Sequence, residues 1–464
     1  MSEAFPHLTV AEAAGRIARG ELSPVALTRA CLERIAALDG RLNAFLLVLE
    51  REALAAAEAA EAEIAAGRHR GPLHGIPYAL KDIYDTAGIR TTGHSKITET
   101  RVPERDAETA RRLREAGGIL LGKLATHEYA YGGPSFDLPW PPARNPWDTD
   151  RFTGGSSSGA GAAVAAGLAL FALGSDTGGS IRHPAAQCGL AGLKPTFGRV
   201  SRVGVLPLAY SHDTCGPMTW TVEDCALVLQ ALAGHDPADP QSADVPVPDY
   251  AAALTGDVRG LKVGLVRHFY TEDRAVHPAQ QAAVEAAAET LAGLGAAVEE
   301  VRLSPLADYT GPSWVITCAE AGAVHEENLR TRLGDYGENF RYRVLPGALL
   351  SGVDYVQAQR QRRALVAEMA AVLERVHLLL TVTVPTPPQR FEEVTLDSLL
   401  ASRPITSAFN MTGFPALAVR AGFTPEGLPL SVTLAGRPFD EATVLRAGHA
   451  YEQAPPWRDR RPAL

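Results

Sequence analysis

Two stretches of this 464-residue chain, TGGSSSGAG from Thr153 and GSDTGGSIR from Gly174, hold glycine and serine at a density unsuited to helix or strand interiors. Between them runs an almost unbroken small and apolar segment, residues 160–173, with room for one short helix and one buried strand. The chain must therefore make two tight turns, poor in side chains, against a packed core. Turns of this kind can aim several backbone N–H groups at one point. Three groups able to do acyl chemistry stand in them or upstream of them: Lys81 in GIPYALKD, Ser156 and Ser180.

Four readings compete for GGSSSGAG. A phosphate loop would need a lysine closing G-x-x-x-x-G-K-[ST], and there is none. A dinucleotide fingerprint would need a preceding strand and a differently placed third glycine. Gly155 to Gly159 formally matches the G-x-S-x-G elbow with Ser157 as nucleophile, but that elbow follows a buried strand and NPWDTDRFT does not read as one. A flexible linker would not lead at once into apolar structure. The reading that uses both clusters makes Ser180 a nucleophile beside an oxyanion hole formed by the N–H groups of Thr177, Gly178, Gly179 and Ser180. Serine then needs a base. None of His94, His127, His183 and His212 is an obvious one, whereas a desolvated, neutral Lys81 can take the proton through Ser156. Of 44 basic residues only Lys81, Lys96, Lys123, Lys194 and Lys262 are lysines. In so arginine-rich a chain, lysine is expected where arginine, which stays protonated, cannot serve.

The composition narrows the function further. Hydrophobic content of 46% and charged content of 21% suit a globular enzyme. A net charge of −9 argues against nucleic-acid or anionic-membrane partners. The apolar run over 162–173 is too short to cross a bilayer, and MSEAFPHLTV shows no export signal, so a cytoplasmic location is expected. Cys31, Cys188, Cys215, Cys225 and Cys318 are scattered and never form C-x-x-C, which predicts reduced, buried thiols and no metal site or other cofactor.

Along the chain the pattern predicts a layered α/β fold on a mixed sheet, as one domain over 1–464. An N-terminal helical segment occupies 1–70, with Ser23-Pro24 opening a helix that buries Leu27, Cys31, Ile35 and Leu38 and a solvated or partner-facing helix over 50–66. A core over 71–230 carries a strand over 72–78 leading to Lys81, a helix over 107–116, a strand over 118–121, an irregular loop over 137–153, a helix over 160–167 and a buried strand over 168–173. A linker is expected over 237–249. The part over 231–464 completes the sheet and the pocket, with buried strands over 263–266, 297–301 and 378–384 and a helix over 279–294.

The motifs GIPYALKDIYDTAG, GGSSSGAGAAVAAG, GSDTGGSIRHPAAQCGLAGLKPTFGRVS, SHDTCGPM and NMTGFPALAVRAGF occur in an order that resembles the amidase signature family of serine hydrolases. The likeness runs over about residues 10–455, and the interval from Ser156 to Ser180 is the family's own. It implies an α/β/α sandwich around a large mixed sheet and a Ser–cis-Ser–Lys triad. Ser180 would be the nucleophile, Ser156 the bridging serine with a cis peptide bond to Gly155 or Ser157, and Lys81 the base. It further implies hydrolysis of a small amide, ureide or carbamate through an acyl-enzyme, without a cofactor, by a monomer or homodimer. The same triad could serve a carbamate or ester hydrolase, or the glutaminase subunit of a multi-protein amidotransferase. A non-catalytic scaffold is disfavoured because all three triad positions are present. Ser158 stands where many members have glycine. The glutaminase subunit carries an acidic residue upstream of the NMTGFP-like motif to hold the amino group of glutamine; here that stretch reads SRPITSAFN, and Arg403 near that place counts against glutamine. CAEAGAVHEENLRTR and YVQAQRQRR are similar to the branch that hydrolyses carboxybiuret-type ureides. Expected pocket residues are Tyr131, Gly132, Gly133, Trp314, Cys318 and Arg403, within walls formed by 129–134, 314–318 and 409–411, and Arg341, Arg343 and Arg403 could meet an anionic group.

Overall fold

The computed structural model describes residues 7–464; the opening MSEAFP, on which part of the export-signal expectation rests, lies outside them. Eleven strands form one mixed sheet. In chain order the strands are β1 (Phe45–Val48), β2 (Pro77–Lys81), β3 (Ile119–Leu124), β4 (Arg144–Asn145), β5 (Asp148–Phe152), β6 (Phe171–Asp176), β7 (Ala191–Lys194), β8 (Thr214–Thr219), β9 (Lys262–Leu265), β10 (Ala297–Glu300), β11 (Leu378–Val382), β12 (Ala416–Phe423) and β13 (Pro429–Gly436). The sheet order is β1-β3-β2-β6-β8-β7-β12-β13-β11-β9-β10, while β4 and β5 form a separate hairpin. β2 runs parallel to both β3 and β6, β9 runs parallel to β10 and β11, and antiparallel pairs join these two parallel groups. Strands from before and after residue 230 are thus joined in one hydrogen-bonded sheet, and β6, β8, β11 and β13 are buried along their whole length.

The helices that cover the sheet begin where short polar side chains cap them. Ser23 Oγ accepts the Ala26 N–H at 3.0 Å and Pro24 opens the helix Pro24–Leu42, which buries Leu27, Cys31 and Ile35. The helix Glu50–Ala65 turns Ala53, Ala57 and Ala60 inward and stops before Gly67, which takes φ +76°. Helices Ser158–Ala165, Arg182–Cys188, Pro278–Gly293 and Glu441–Gln453 pack on the central strands. All five cysteines are buried and unpaired. No described helix is long and apolar enough to cross a membrane.

Several expectations are corrected. β1 interrupts the N-terminal helical segment, and residues 72–76 are turns that precede β2. The loop over 137–153 contains the β4–β5 hairpin, whose half-exposed face hid it from a search for buried strands. The strand expected over 168–173 starts at Phe171 and runs on to Asp176, because Ala169 and Leu170 are used in a turn. β10 is the edge strand and mostly exposed, not a buried one. Residues 237–249 pass between two elements as an irregular segment that packs back on the core: Asp239 and Tyr250 at its end are buried, and Arg199 donates to Val245 O and Pro246 O.

Gly159 shows how tightly the serine-bearing helix is seated. A Cβ there would stand 2.4 Å from Ala44 O and 2.6 Å from Ala125 N. Gly159→Ala should lower stability by about 1–3 kcal/mol in denaturant unfolding; an unchanged midpoint would show that the 125 loop can give way.

Candidate active site

β2 and β6 lie side by side and parallel, so their carboxyl ends emerge together, which is where open α/β sheets place ligands. Lys81 is the last residue of β2 and Ser175 and Asp176 end β6. The Lys81 side-chain nitrogen is fully buried, 2.7 Å from Ser156 Oγ and 2.9 Å from Ser175 Oγ. Burial brings its pKa down to about 7, against the opposing pull of Asp213 and Asp176. At neutral pH much of Lys81 is therefore uncharged and able to accept a proton.

Ser156 sits in the turn before the helix Ser158–Ala165, and the Gly155–Ser156 peptide bond is cis. Gly155 has no room for a side chain, since a Cβ would fall 2.1 Å from the His127 ring. The His127 N–H donates to Ser156 O at 3.0 Å, and the Ser157 N–H donates to Ser180 O at 3.2 Å, tying the first cluster to the second. Ser156, Ser180 and the turn Thr177–Gly179 all face one cavity of about 360 Å³. His127 and His183 line it as well, and burial holds both rings below the ordinary histidine range, His183 at about 4. Neither carries charge at neutral pH. His94 and His212 do not reach the cavity.

The turn that presents Ser180 is built on a buried carboxylate. Asp176 accepts the Gly179 N–H at 2.7 Å and the Ile181 N–H at 3.2 Å, and pairs with the Arg182 guanidinium at 2.9 Å. Asn410 Nδ2 adds a bond of 2.8 Å. Burial alone would raise the Asp176 pKa, but Arg182, together with Asn410, holds it well below the usual carboxylate range. One expectation changes here: the Gly179 N–H donates to Asp176 and is not free for an oxyanion, so the expected donors reduce to the N–H groups of Thr177, Gly178 and Ser180. Gly179 has φ +128°, and a Cβ on it would meet Thr406 Oγ1 at 2.1 Å, so only glycine fits. Thr177 Oγ1 donates to Asp213 at 2.6 Å, and Thr406 Oγ1 to Gly178 O at 2.7 Å.

Of the expected pocket residues, Tyr131, Gly132, Trp314 and Arg403 line the cavity. Gly133 and Cys318 do not. Cys318 lies behind the wall, its thiol 3.3 Å from the Tyr131 hydroxyl, and a side chain on Gly133 would strike Leu399. Phe409 to Met411 are buried beneath the site rather than in it, Asn410 serving Asp176. Arg341 stays away while Arg343 reaches the cavity. Ser175, Asp176, Arg182 and Arg274 were not singled out from the sequence, and Asn410 only as part of a pocket wall. Ser175 and Asp176 were visible inside GSDTGGSIR, but their importance comes from the strand end they occupy.

With this geometry in place, the comparison with known proteins is decisive for the family. The chain matches the amidase family over residues 26–445. It belongs to that family. It is accordingly a hydrolase of carbon–nitrogen bonds other than peptide bonds, on the amidase signature fold. It is 44% identical to a protein named as a subunit of glutamyl-tRNA(Gln) amidotransferase from Geobacter metallireducens, covering 98% of this chain and 99% of that one. Among solved structures it is similar to the inhibitor-bound form of a vestigial protein complex described as revealing the origins of an s-triazine catabolic enzyme, with TM-score 0.90 and 34% identity over 96% of this chain and 98% of that one. It is also similar to the corresponding glutamyl-tRNA(Gln) amidotransferase subunit from Thermotoga maritima, with TM-score 0.82 and 34% identity over 98% and 96% of the two chains.

The Asp176 account is open to test. Asp176→Ala leaves Arg182 buried without its partner and should destabilise the fold by about 3–5 kcal/mol in equilibrium unfolding. A loss below about 1 kcal/mol would show that the turn does not depend on this pair.

Proposed function

We propose that the chain is an amidohydrolase in which Ser180 is the nucleophile, Ser156 the proton relay and Lys81 the base. The observation that carries this reading is the buried Lys81 amine, poised at a pKa of about 7 and 2.7 Å from Ser156 Oγ, behind the Ser156 that lines a cavity together with Ser180. Ser180 Oγ attacks the carbonyl carbon of a carboxamide. Its proton passes by way of Ser156 to the neutral Lys81 nitrogen, and N–H groups of the Thr177–Ser180 turn stabilise the oxyanion. The proton returns along the same route to the departing nitrogen, which leaves as ammonia or an amine. Water then attacks the acyl-enzyme with Lys81 and Ser156 again taking the proton, releasing the acid and restoring Ser180.

A narrower reading places this chemistry in the glutaminase subunit of an amidotransferase, with ammonia passed to a partner protein. The relatives named as glutamyl-tRNA(Gln) amidotransferase subunits, matched over nearly their whole length, support it more directly than they support a free-standing enzyme with an amide, ureide or carbamate substrate. The cavity weighs the other way, because no described aspartate or glutamate lines it to receive the ammonium of glutamine. Ammonia release from glutamine, aliphatic and aryl amides, a ureide and an aryl carbamate separates the two. Turnover of a small amide or ureide by the isolated chain supports the free-standing enzyme, and turnover of glutamine alone supports the subunit.

Ser180→Ala should lower kcat/KM by more than about a thousandfold on any substrate turned over. Lys81→Arg should be nearly as damaging, because arginine stays protonated at every working pH; retained activity there would contradict the relay. The pH dependence has a defined sign. Lys81 works in its neutral form, so kcat/KM should rise with pH to a plateau above about 7 and fall about tenfold per unit on the acid side. A profile flat from pH 5 to 8, roughly the range in which only perturbed groups and histidines titrate, would exclude it as the base.

A further inference from the structure

β8 runs antiparallel beside β6, so its first residues come to the same end of the sheet as Lys81 and Ser175. Ser175 pairs with Cys215 and Asp176 with Thr214, which brings Asp213 opposite Thr177. Thr177 Oγ1 donates to the Asp213 carboxylate at 2.6 Å, and the N–H groups of Leu208 and Ala209 add bonds of 2.8 and 3.0 Å. Ser175, Asp213 and Cys215 line a second cavity of about 320 Å³, and the Ser175 hydroxyl lies 2.9 Å from the Lys81 nitrogen. The two carboxylates at this end of the sheet differ in how their charge is used. Asp176 is paired with Arg182. Asp213 is half-buried and accepts only from neutral donors, a hydroxyl and two backbone N–H groups. Arg202 reaches residue 213 at its backbone oxygen, at 3.4 Å, and sets its charge 3.7 Å from Asp239 instead. Burial pushes the Asp213 carboxyl up and its three donors draw it back, as suits a carboxylate with no cation in contact.

We infer that Asp213 is a positioning residue of the relay: it anchors Thr177 at the start of the oxyanion turn and supplies the counter-charge for Lys81 once that amine has taken the serine proton. The inference rests on the reading of Lys81 as base. On accepting a proton Lys81 becomes an ammonium inside the protein, with the hydroxyls of Ser156 and Ser175 as its hydrogen-bond partners. A cation so placed is costly unless an opposite charge lies near. Asp213, Asp176 and Cys215 are the groups whose negative charge would favour it. Asp176 is already neutralised by Arg182, and burial raises the Cys215 thiol to about 11, so it is uncharged. The His127 ring faces the amine as well, but it stays neutral and adds no charge. Asp213 is left. A carboxylate in contact with Lys81 would hold it protonated and useless as a base. One set back across Ser175 eases the transfer and leaves the neutral amine populated.

The experiment titrates the Lys81 side-chain resonance by NMR in the wild type, Asp213→Asn and Asp213→Glu, which needs no substrate. It also records the pH profile of kcat/KM for each protein on the best substrate of the amide, ureide and carbamate panel above. Asp213→Asn keeps a group able to bond Thr177 but removes the charge. It should lower the Lys81 midpoint, and the acid limb of kcat/KM with it, by about one pH unit. The plateau should fall by up to about tenfold, because a weaker base takes the serine proton less readily. Asp213→Glu retains the charge and should bring both midpoints back toward the wild type. An unchanged Lys81 midpoint in Asp213→Asn, whatever happens to the rate, would overturn the inference and leave Asp213 as a tie for its own turn. A midpoint that falls while the acid limb stays in place would support the counter-charge and contradict Lys81 as the base. Should Asp213→Asn fail to fold, Asp213→Ser, uncharged and still able to accept from the loop, gives the same reading.

Discussion

Asp176 stands at the end of β6 with partners from three parts of the chain: the turn it begins, the first residues of the helix Arg182–Cys188, and Asn410 from the helix Ser407–Thr412. Its carboxylate is fully buried, so it is stable there only because Arg182 and the inward N–H groups replace its water. That requirement anchors the backbone on both sides of Ser180, through the N–H groups of Gly179 and Ile181. It also binds the C-terminal part of the chain to the core, because Arg182 donates to both Thr406 O and Asn410 Oδ1. One side of the cavity is thus supplied by the turns at 127–132, 155–156 and 177–180, the other by residues between 274 and 407, and Arg182 links the two through Thr406 and Asn410.

Burial gives Lys81 its chemistry, but burial alone does not make a base. Three of the five lysines are fully buried. Lys123 is 3.2 Å from Asp82 and donates to Tyr84 O and Thr91 Oγ1, which fixes it as a structural cation. Lys194 is brought to about pKa 7 by burial, much as Lys81 is, yet it donates to Pro195 O and does not reach the cavity. Of the three, Lys81 is the one that combines a pKa brought to about 7 with a hydrogen bond to a hydroxyl lining the cavity, that of Ser156.

Much of this was legible in the sequence because the relevant constraints are local. Gly155 and Gly179 each adjoin one of the two serines where any side chain would press on His127 or Thr406, and that demand shows directly as glycine-rich text. The scarcity of lysine pointed to places where arginine fails, and the three buried lysines are such places. What the sequence concealed is non-local. Asn410 looked like pocket wall, but the fold turns it beneath the site toward Asp176. Gly179 looked like an oxyanion donor, although its N–H is claimed by a carboxylate three residues earlier. Arg274 gave no signal at all, since nothing in its neighbourhood of the chain reveals that residues 402–404 will lie against it. β10 read as buried from its valines and alanine, whereas position in a sheet, edge or centre, is decided by topology and not by composition.

The central claim is that Lys81 holds a readily removable proton at neutral pH. With only five lysines in the chain, selective isotope labelling of lysine side chains gives a spectrum simple enough to titrate by NMR, and the Lys81→Arg variant assigns the signal. The account predicts that the Lys81 resonance titrates with a midpoint of about 7. A midpoint near the ordinary lysine value of about 10.4 would mean a permanently charged Lys81 and would contradict it.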